Sequence, residues 1–292
     1  MFGISGKKLI VAGALVAAGS LFGSGNAARA ATYSITSGDS TISYNSNLQA
    51  VSWLVNGVNE FGGSPVGGDV LSIYNGTDFV PIADDGLTLV SDSFTKNIAS
   101  ATLSGTYEGD NFTITFKGIL TGGAKGSGTA GLAETITVNN LGPSVTPGVS
   151  PAVVASPVDF IIQDSFDANL NATPSNDTLK FSPSGAPNTA TQTDPTGVKL
   201  TYVSTPTPTL IDGTADSSVS TASATGNEAF AFTWDLSLDP GDTGIISNAI
   251  TISGQGGGAV ASVPLPSSAG AALATLAGLG AVALLRRKFA AI

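Results

Sequence analysis

The chain has 292 residues, with 11 Lys+Arg against 21 Asp+Glu, no His and no Cys. The two zeros exclude a Ser-His-Asp triad, an imidazole base, His- or thiolate-ligated metals and any disulfide framework. A net charge of -10 argues against nucleic acid as a partner, because such binding rests on Lys and Arg contacts to phosphate.

Residues 1–30 have the three parts of a secretory signal peptide. Lys7 and Lys8 form a basic start, and an apolar run from Leu9 to Val16 extends through small residues to Leu21-Phe22. Ala28 and Ala30 then supply the small residues that signal peptidase requires, placing the cut between Ala30 and Ala31. Export permits disulfides, so the absence of Cys is not an effect of compartment.

Residues 31–253 read as an all-β ectodomain, an antiparallel β-sandwich. In Asn111–Lys117, Phe112, Ile114 and Phe116 share one face while Thr113, Thr115 and Lys117 share the other, as in a half-buried strand. Ala229–Leu236 repeats this with Phe230, Phe232, Trp234 and Leu236, and Glu134–Val138 and Lys199–Val203 read as further strands. Asn56-Gly57 predicts a two-residue type I′ hairpin, and Asp239-Pro240-Gly241-Asp242 a type II turn. Two stretches lack a strand pattern, the Pro-rich Gly142–Pro157 and the polar Ser182–Gly197. They are loops on one sandwich, or the former is the seam of a two-lobed ectodomain. Residues 254–262 begin with Gly254-Gln255-Gly256-Gly257-Gly258 and read as a flexible tether.

Chemistry-bearing residues are few. Glu134 alternates with Ile136 and Val138, an unusual place for an acid and the best catalytic candidate among the glutamates, although a solvent-facing edge acid explains it as well. No catalytic constellation emerges. Asp164, Asp167, Asn169 and Asn171 space side-chain oxygens as a hard cation such as calcium requires, but they lack the EF-hand glycine and distal glutamate, and ordinary turns use the same residues. No other cofactor is indicated. Trp53 is a candidate for stacking on sugar rings, whereas Trp234, between aromatic alternation partners, reads as core.

The C-terminal segment, 263–292, opens with Val263-Pro264-Leu265-Pro266. The stretch Ala269–Leu285 carries no charge and has the length of a single transmembrane helix, about 26 Å at ~1.5 Å per residue. Arg286-Arg287-Lys288 closes it as a basic stop-transfer cluster, which predicts a cytoplasmic end. Motif, apolar helix and basic tail together resemble the PEP-CTERM sorting signal, with Leu265 where the name-giving form has Glu. Three ectodomain segments resemble a recurring ectodomain type among such proteins: Leu120–Gly123 with Gly126-Ser127-Gly128, Ala133–Asn140, and Phe232–Leu236 leading into Pro240-Gly241. The resemblance implies a bacterial protein of the Gram-negative type, transiently anchored in the inner membrane. It also implies processing by an exosortase and release or transfer to the cell surface or beyond.

The expected function is therefore a non-enzymatic exported surface or extracellular-matrix protein. An exopolysaccharide-binding module, calcium-assisted, is the alternative, followed by a glycosidase or lyase acting through Glu134. Removing both terminal segments leaves five cations, Lys96, Lys117, Lys125, Lys180 and Lys199, against all 21 acids.

Overall fold

The alternation of apolar and polar residues resolves into strands in a computed structural model, which describes residues 33–61, 68–82, 86–143, 157–170, 177–182, 188–214, 224–226 and 229–254. The first half contributes β1 (Tyr33–Ser37), β2 (Ser40–Tyr44), β3 (Ala50–Val55), β4 (Val58–Asn59), β5 (Gly68–Tyr74), β6 (Phe79–Pro81), β7 (Thr88–Thr95), β8 (Ile98–Tyr107), β9 (Asp110–Gly122) and β10 (Ala130–Pro143). The second half contributes β11 (Val158–Asp167), β12 (Asp177–Ser182), β13 (Thr189–Thr193), β14 (Lys199–Thr205), β15 (Leu210–Thr214), β16 (Ala224–Gly226), β17 (Ala229–Leu238) and β18 (Thr243–Ser253).

Two sheets result, both antiparallel throughout. The first runs β1-β2-β3-β5-β11-β17-β15, with β4 on β3 and β6 on β5. The second runs β16-β12-β13-β14-β18-β10-β9-β8-β7. Their inner faces form one core. Phe160 of β11 meets Phe112 of β9 at 5.2 Å between ring centroids, and Phe166 of β11 meets Tyr202 of β14 at 5.8 Å. Such offset and edge-on contacts are the favoured aromatic geometries.

Local chemistry explains the turns and the close approaches. Leu54 pairs with Asn59 and Val55 with Val58, leaving Asn56 and Gly57 at φ 52° and 84°, as a type I′ hairpin requires. At Asp239–Asp242 the Asp242 amide donates to the Asp239 carbonyl at 2.9 Å, and Gly241 takes φ 91°. A Cβ at Gly122 would lie 1.7 Å from the Ser37 carbonyl oxygen, so only glycine lets the end of β9 pass under β1.

One sequence expectation is corrected within residues 31–253. The stretch Ser182–Gly197 contains a strand, β13, which pairs with β12 and β14. Its pattern was hidden because the inward residues are Ala190 and Gln192, small and polar, between outward threonines. Residues 1–30 with Ala28, Ala30 and Ala31, the core of the Pro-rich stretch (144–156), and everything from 255 onward lie outside the described residues. The sorting motif, the apolar segment and the basic cluster fall there as well. Among the described residues no helix is long and apolar enough to cross a membrane.

Candidate functional site

Period-two alternation carries three acids into the core from both sheets. On β10, Glu134 shares the inward face with Leu132, Ile136 and Val138. On β11, Asp164 sits between inward Ile162 and Phe166, and on β5, Asp69 shares its face with Ile73 and lies opposite Phe166. Each offers a carboxylate oxygen within 4.8 Å of the others. Their exposures are 7% for Asp69 and 2% for both Glu134 and Asp164, so the group is closed off from solvent.

The pairing register supplies the neighbours. Glu134 lies opposite Asn248 of β18 on one side and Gly118 of β9 on the other. Gly118 has no side chain to fill the space, and a Cβ there would stand 3.4 Å from the Tyr44 hydroxyl, which reaches in from β2. Tyr202 of β14 donates its hydroxyl to Asp164 Oδ2, and Asn248 Nδ2 donates to the same oxygen at 3.1 Å. Asp164 Oδ1, Glu134 Oε1, Asn248 Oδ1 and Tyr44 Oη are buried without a hydrogen-bond partner.

Electrostatics follow from this crowding. Burial pushes the Glu134 carboxyl up to about 8, with the charge of Asp164 adding to the effect and hydrogen bonds from Asp69 and Asn248 opposing it. Burial likewise raises Asp69 and Asp164 well above the usual carboxylate range, with mutual repulsion adding to it. Tyr44 and Tyr202 are raised by burial and by the adjacent acids. The five lysines between residues 31 and 253 are all exposed, so none offsets these charges from within.

A second acidic locus lies on the opposite, outward face of the first sheet. Asp159, Gln163 and Ser165 of β11 face the same way as Thr233, Asp235 and Ser237 of β17. Asp159 pairs with Ser237 and Asp235 with Ile161, so the two acids are diagonal neighbours, and both are exposed. Partial desolvation raises the Asp235 carboxyl, and the charge of Asp159 raises it further. Beside them Gln163 Nε2 donates to Thr233 Oγ1 at 3.3 Å, and Ser165 donates to Gln163 Oε1 at 3.2 Å.

The sequence candidates are distributed unevenly over these loci. Glu134 is at the interior cluster. Of the four proposed cation ligands only Asp164 is there. Asp167 faces the other side of β11, because three residues along a strand reverse the face. Asn169 follows the strand, its amide donating to the Glu60 carbonyl at 2.9 Å, and Asn171 lies outside the described residues. Trp53 is fully buried, donates Nε1 to Ser40 Oγ at 2.8 Å and packs edge-on against Phe61, leaving no face for a sugar ring. Trp234 is core, with Nε1 on the Pro206 carbonyl. Asp69, Tyr44, Tyr202 and Asn248 are not among the sequence candidates. Alternation marks each as inward, but nothing local shows that they meet.

No family model matches the chain, and no curated protein matches it in sequence. Solved structures match its fold. A protein named for aldose 1-epimerase activity from Escherichia coli K12 is 10% identical with a TM-score of 0.50, the match covering 76% of this chain and 98% of that one. A galactose mutarotase related enzyme from Lactobacillus acidophilus is 7% identical with a TM-score of 0.51, covering 79% and 100%. A protein from Synechocystis sp. PCC 6803 is 12% identical with a TM-score of 0.51, covering 80% and 99%. At these identities the likeness shows the fold. It also corrects the expectation of a non-enzymatic structural protein. The described residues share their architecture with proteins named for sugar processing, and folding gathers Asp69 with the sequence candidates Glu134 and Asp164.

Proposed function

We propose that this chain is an exported carbohydrate-active protein, acting on sugars at the outward face of its first sheet. The observation that carries the reading is the Asp159–Asp235 pair, two exposed acids on adjacent strands, with the Asp235 carboxyl raised by partial desolvation and by the charge of Asp159. Epimerisation at the first carbon of an aldose needs a base at the anomeric hydroxyl and an acid at the ring oxygen. The chain has no His to do this, so carboxyls take both parts, Asp235 as the acid and Asp159 as the base. Gln163 and Ser165, linked to each other and, through Gln163, to the buried Thr233, supply donors and acceptors for sugar hydroxyls. The end-to-end likeness to epimerase- and mutarotase-type folds supports the assignment of substrate class.

The terminal segments fit this reading as targeting devices. Signal peptidase cuts before Ala31, and an exosortase reads Val263-Pro264-Leu265-Pro266 after the apolar segment has anchored the chain in the membrane. Exopolysaccharide is then the carbohydrate at hand. The test is anomer exchange, followed by saturation-transfer NMR on glucose, galactose and mannose, together with binding to exopolysaccharide. Acceleration over buffer that falls at least tenfold in Asp235→Asn is expected. An unaccelerated exchange with no binding to any of these sugars overturns the proposal.

A further inference from the structure

We propose that the acid cluster between the two sheets is a structural site for one hard divalent cation, calcium, held by Asp69, Glu134 and Asp164 with the Tyr44 hydroxyl as a neutral ligand. The three carboxyls offer oxygens within 4.8 Å of one another, two from the first sheet and one from the second, so a shared ion ties the sheets together.

The acids partly satisfy each other through Asp69, but oxygens from different strands are left over. Tyr202 Oη donates to Asp164 Oδ2, and Asn248 Nδ2 is shared between that oxygen and Glu134. Asp164 Oδ1 and Glu134 Oε1 remain without a partner at 2% exposure. Tyr44, on a different strand and 1% exposed, brings its hydroxyl to the same space, also without a partner. Asn248, whose amide nitrogen already bonds Asp164, has its own oxygen unpartnered. Buried polar groups are ordinarily satisfied, and converging acceptors without donors are what a cation satisfies. No lysine enters the interior to do it.

The ligand chemistry selects the ion. Every candidate atom is oxygen, three of them on carboxylates, and there is neither imidazole nor thiolate in the chain. Such a set suits calcium, which takes 6–8 oxygens in flexible geometry. Magnesium, which retains several waters, is poorly served by a site closed from solvent. The ligands differ from the Asp164–Asn171 run suggested by sequence spacing, since only Asp164 is common to both.

Because the site is enclosed, loading accompanies folding. The purified chain is unfolded, refolded in EGTA or in calcium chloride, desalted, and measured by elemental analysis and thermal unfolding. One calcium per chain is expected after calcium refolding. At a hundredfold excess over Kd, Tm rises by about 5–10 °C. Terbium in place of calcium should show tyrosine-sensitised emission from Tyr44 and Tyr202. Glu134→Gln and Asp164→Asn should weaken retention at least tenfold and remove the calcium-dependent part of Tm. Should a variant fail to fold, the wild-type comparison of EGTA with calcium decides alone. Equal Tm in the two refolding conditions with no retained calcium overturns the proposal, and so does retention of magnesium in preference to calcium.

Discussion

Replacing Glu134 by Gln in the calcium-free chain removes a charge from the interior while keeping side-chain volume nearly constant. In the folded chain this carboxyl is held up to about 8, against 4.5 when unperturbed. Between those values the folded protein retains a proton that the unfolded chain has released. Stability contributed by this group therefore falls as pH rises through the window from 4.5 to about 8, and is level above it. At ~1.36 kcal/mol per pH unit the whole fall is about 5 kcal/mol, of which about 3 kcal/mol is lost by pH 7. Asp69 and Asp164 are displaced in the same direction, so the three titrate as a coupled group and the wild-type slope is no shallower for their presence. Tyr44 and Tyr202, raised above their already high values, stay neutral across the window.

The amide has no such slope. In EGTA at pH 7, Glu134→Gln should exceed wild type by up to about 3 kcal/mol, or roughly 6–12 °C in Tm for a domain of this size. Near pH 4.5 the two should nearly coincide. Thermal and urea unfolding at intervals from pH 4.5 to 8.5, followed by circular dichroism, measure both. Calcium should reverse the order, because the variant loses a ligand that wild type keeps. A variant in EGTA that retains the full wild-type slope between pH 4.5 and 8 would refute the reasoning, since the slope would then belong to other groups.

Trp53→Ala should cost about 3–5 kcal/mol of stability through the lost core volume and its bond to Ser40, while leaving the sugar affinity of the folded fraction unchanged. Urea unfolding with a parallel binding assay checks both parts. Gly122→Ala drives a methyl group to 1.7 Å from the Ser37 carbonyl, so β1 must lift from β9. Hydrogen exchange should speed up selectively at Ile35–Ser37, and Tm should fall. N-terminal sequencing of exported protein should begin at Ala31, and its intact mass should lack the residues that follow the Val263–Pro266 motif; a mass running through Ile292 overturns the sorting proposal.

What the sequence made legible was whatever alternates within a single strand. Phe112, Ile114 and Phe116 predict the inward face of β9, and Phe230, Phe232 and Trp234 that of β17, because the side-chain period of two needs no knowledge of the partner. Asn56-Gly57 and Pro240-Gly241 were readable for the same reason, as φ above zero is a local demand. Glu134 stood out by alternating with Ile136 and Val138. Asp164 carries the same mark between Ile162 and Phe166, but its neighbours Asp167 and Asn169 drew attention to spacing along the chain rather than to the face. The meeting of Asp69, Glu134 and Asp164 was beyond reach, because it depends on β5 pairing with β11 and on which sheet lies opposite. Long-range pairings of that kind leave no local trace. β13 was missed because Gln192 faces inward, where it donates to the Ala168 carbonyl and to Asp177 rather than packing as an apolar residue.

The missing cations give the acid cluster its consequence. In a chain with interior Arg or Lys, three buried carboxyls would be neutralised by a salt bridge and would carry little dependence on conditions. Here there is no Arg between residues 31 and 262 and every lysine in that range is exposed, so the interior charge is offset by protons or by a metal. Protons no longer offset the charge once the pH passes about 8, where Glu134 ionises. Calcium acts at the concentrations met outside the cell, where sites of Kd around 10⁻⁴–10⁻³ M are filled. Taken with the proposed export, this makes the domain less stable where calcium is scarce, before it crosses the membrane, than where calcium is plentiful, after it has crossed. Asp159 lies on the reverse of the strand that carries Asp164, so the ion that fixes β11 from inside also fixes the base on which sugar chemistry depends. Sugar turnover should therefore fall in EGTA-refolded protein even though no ligand of the ion touches the sugar.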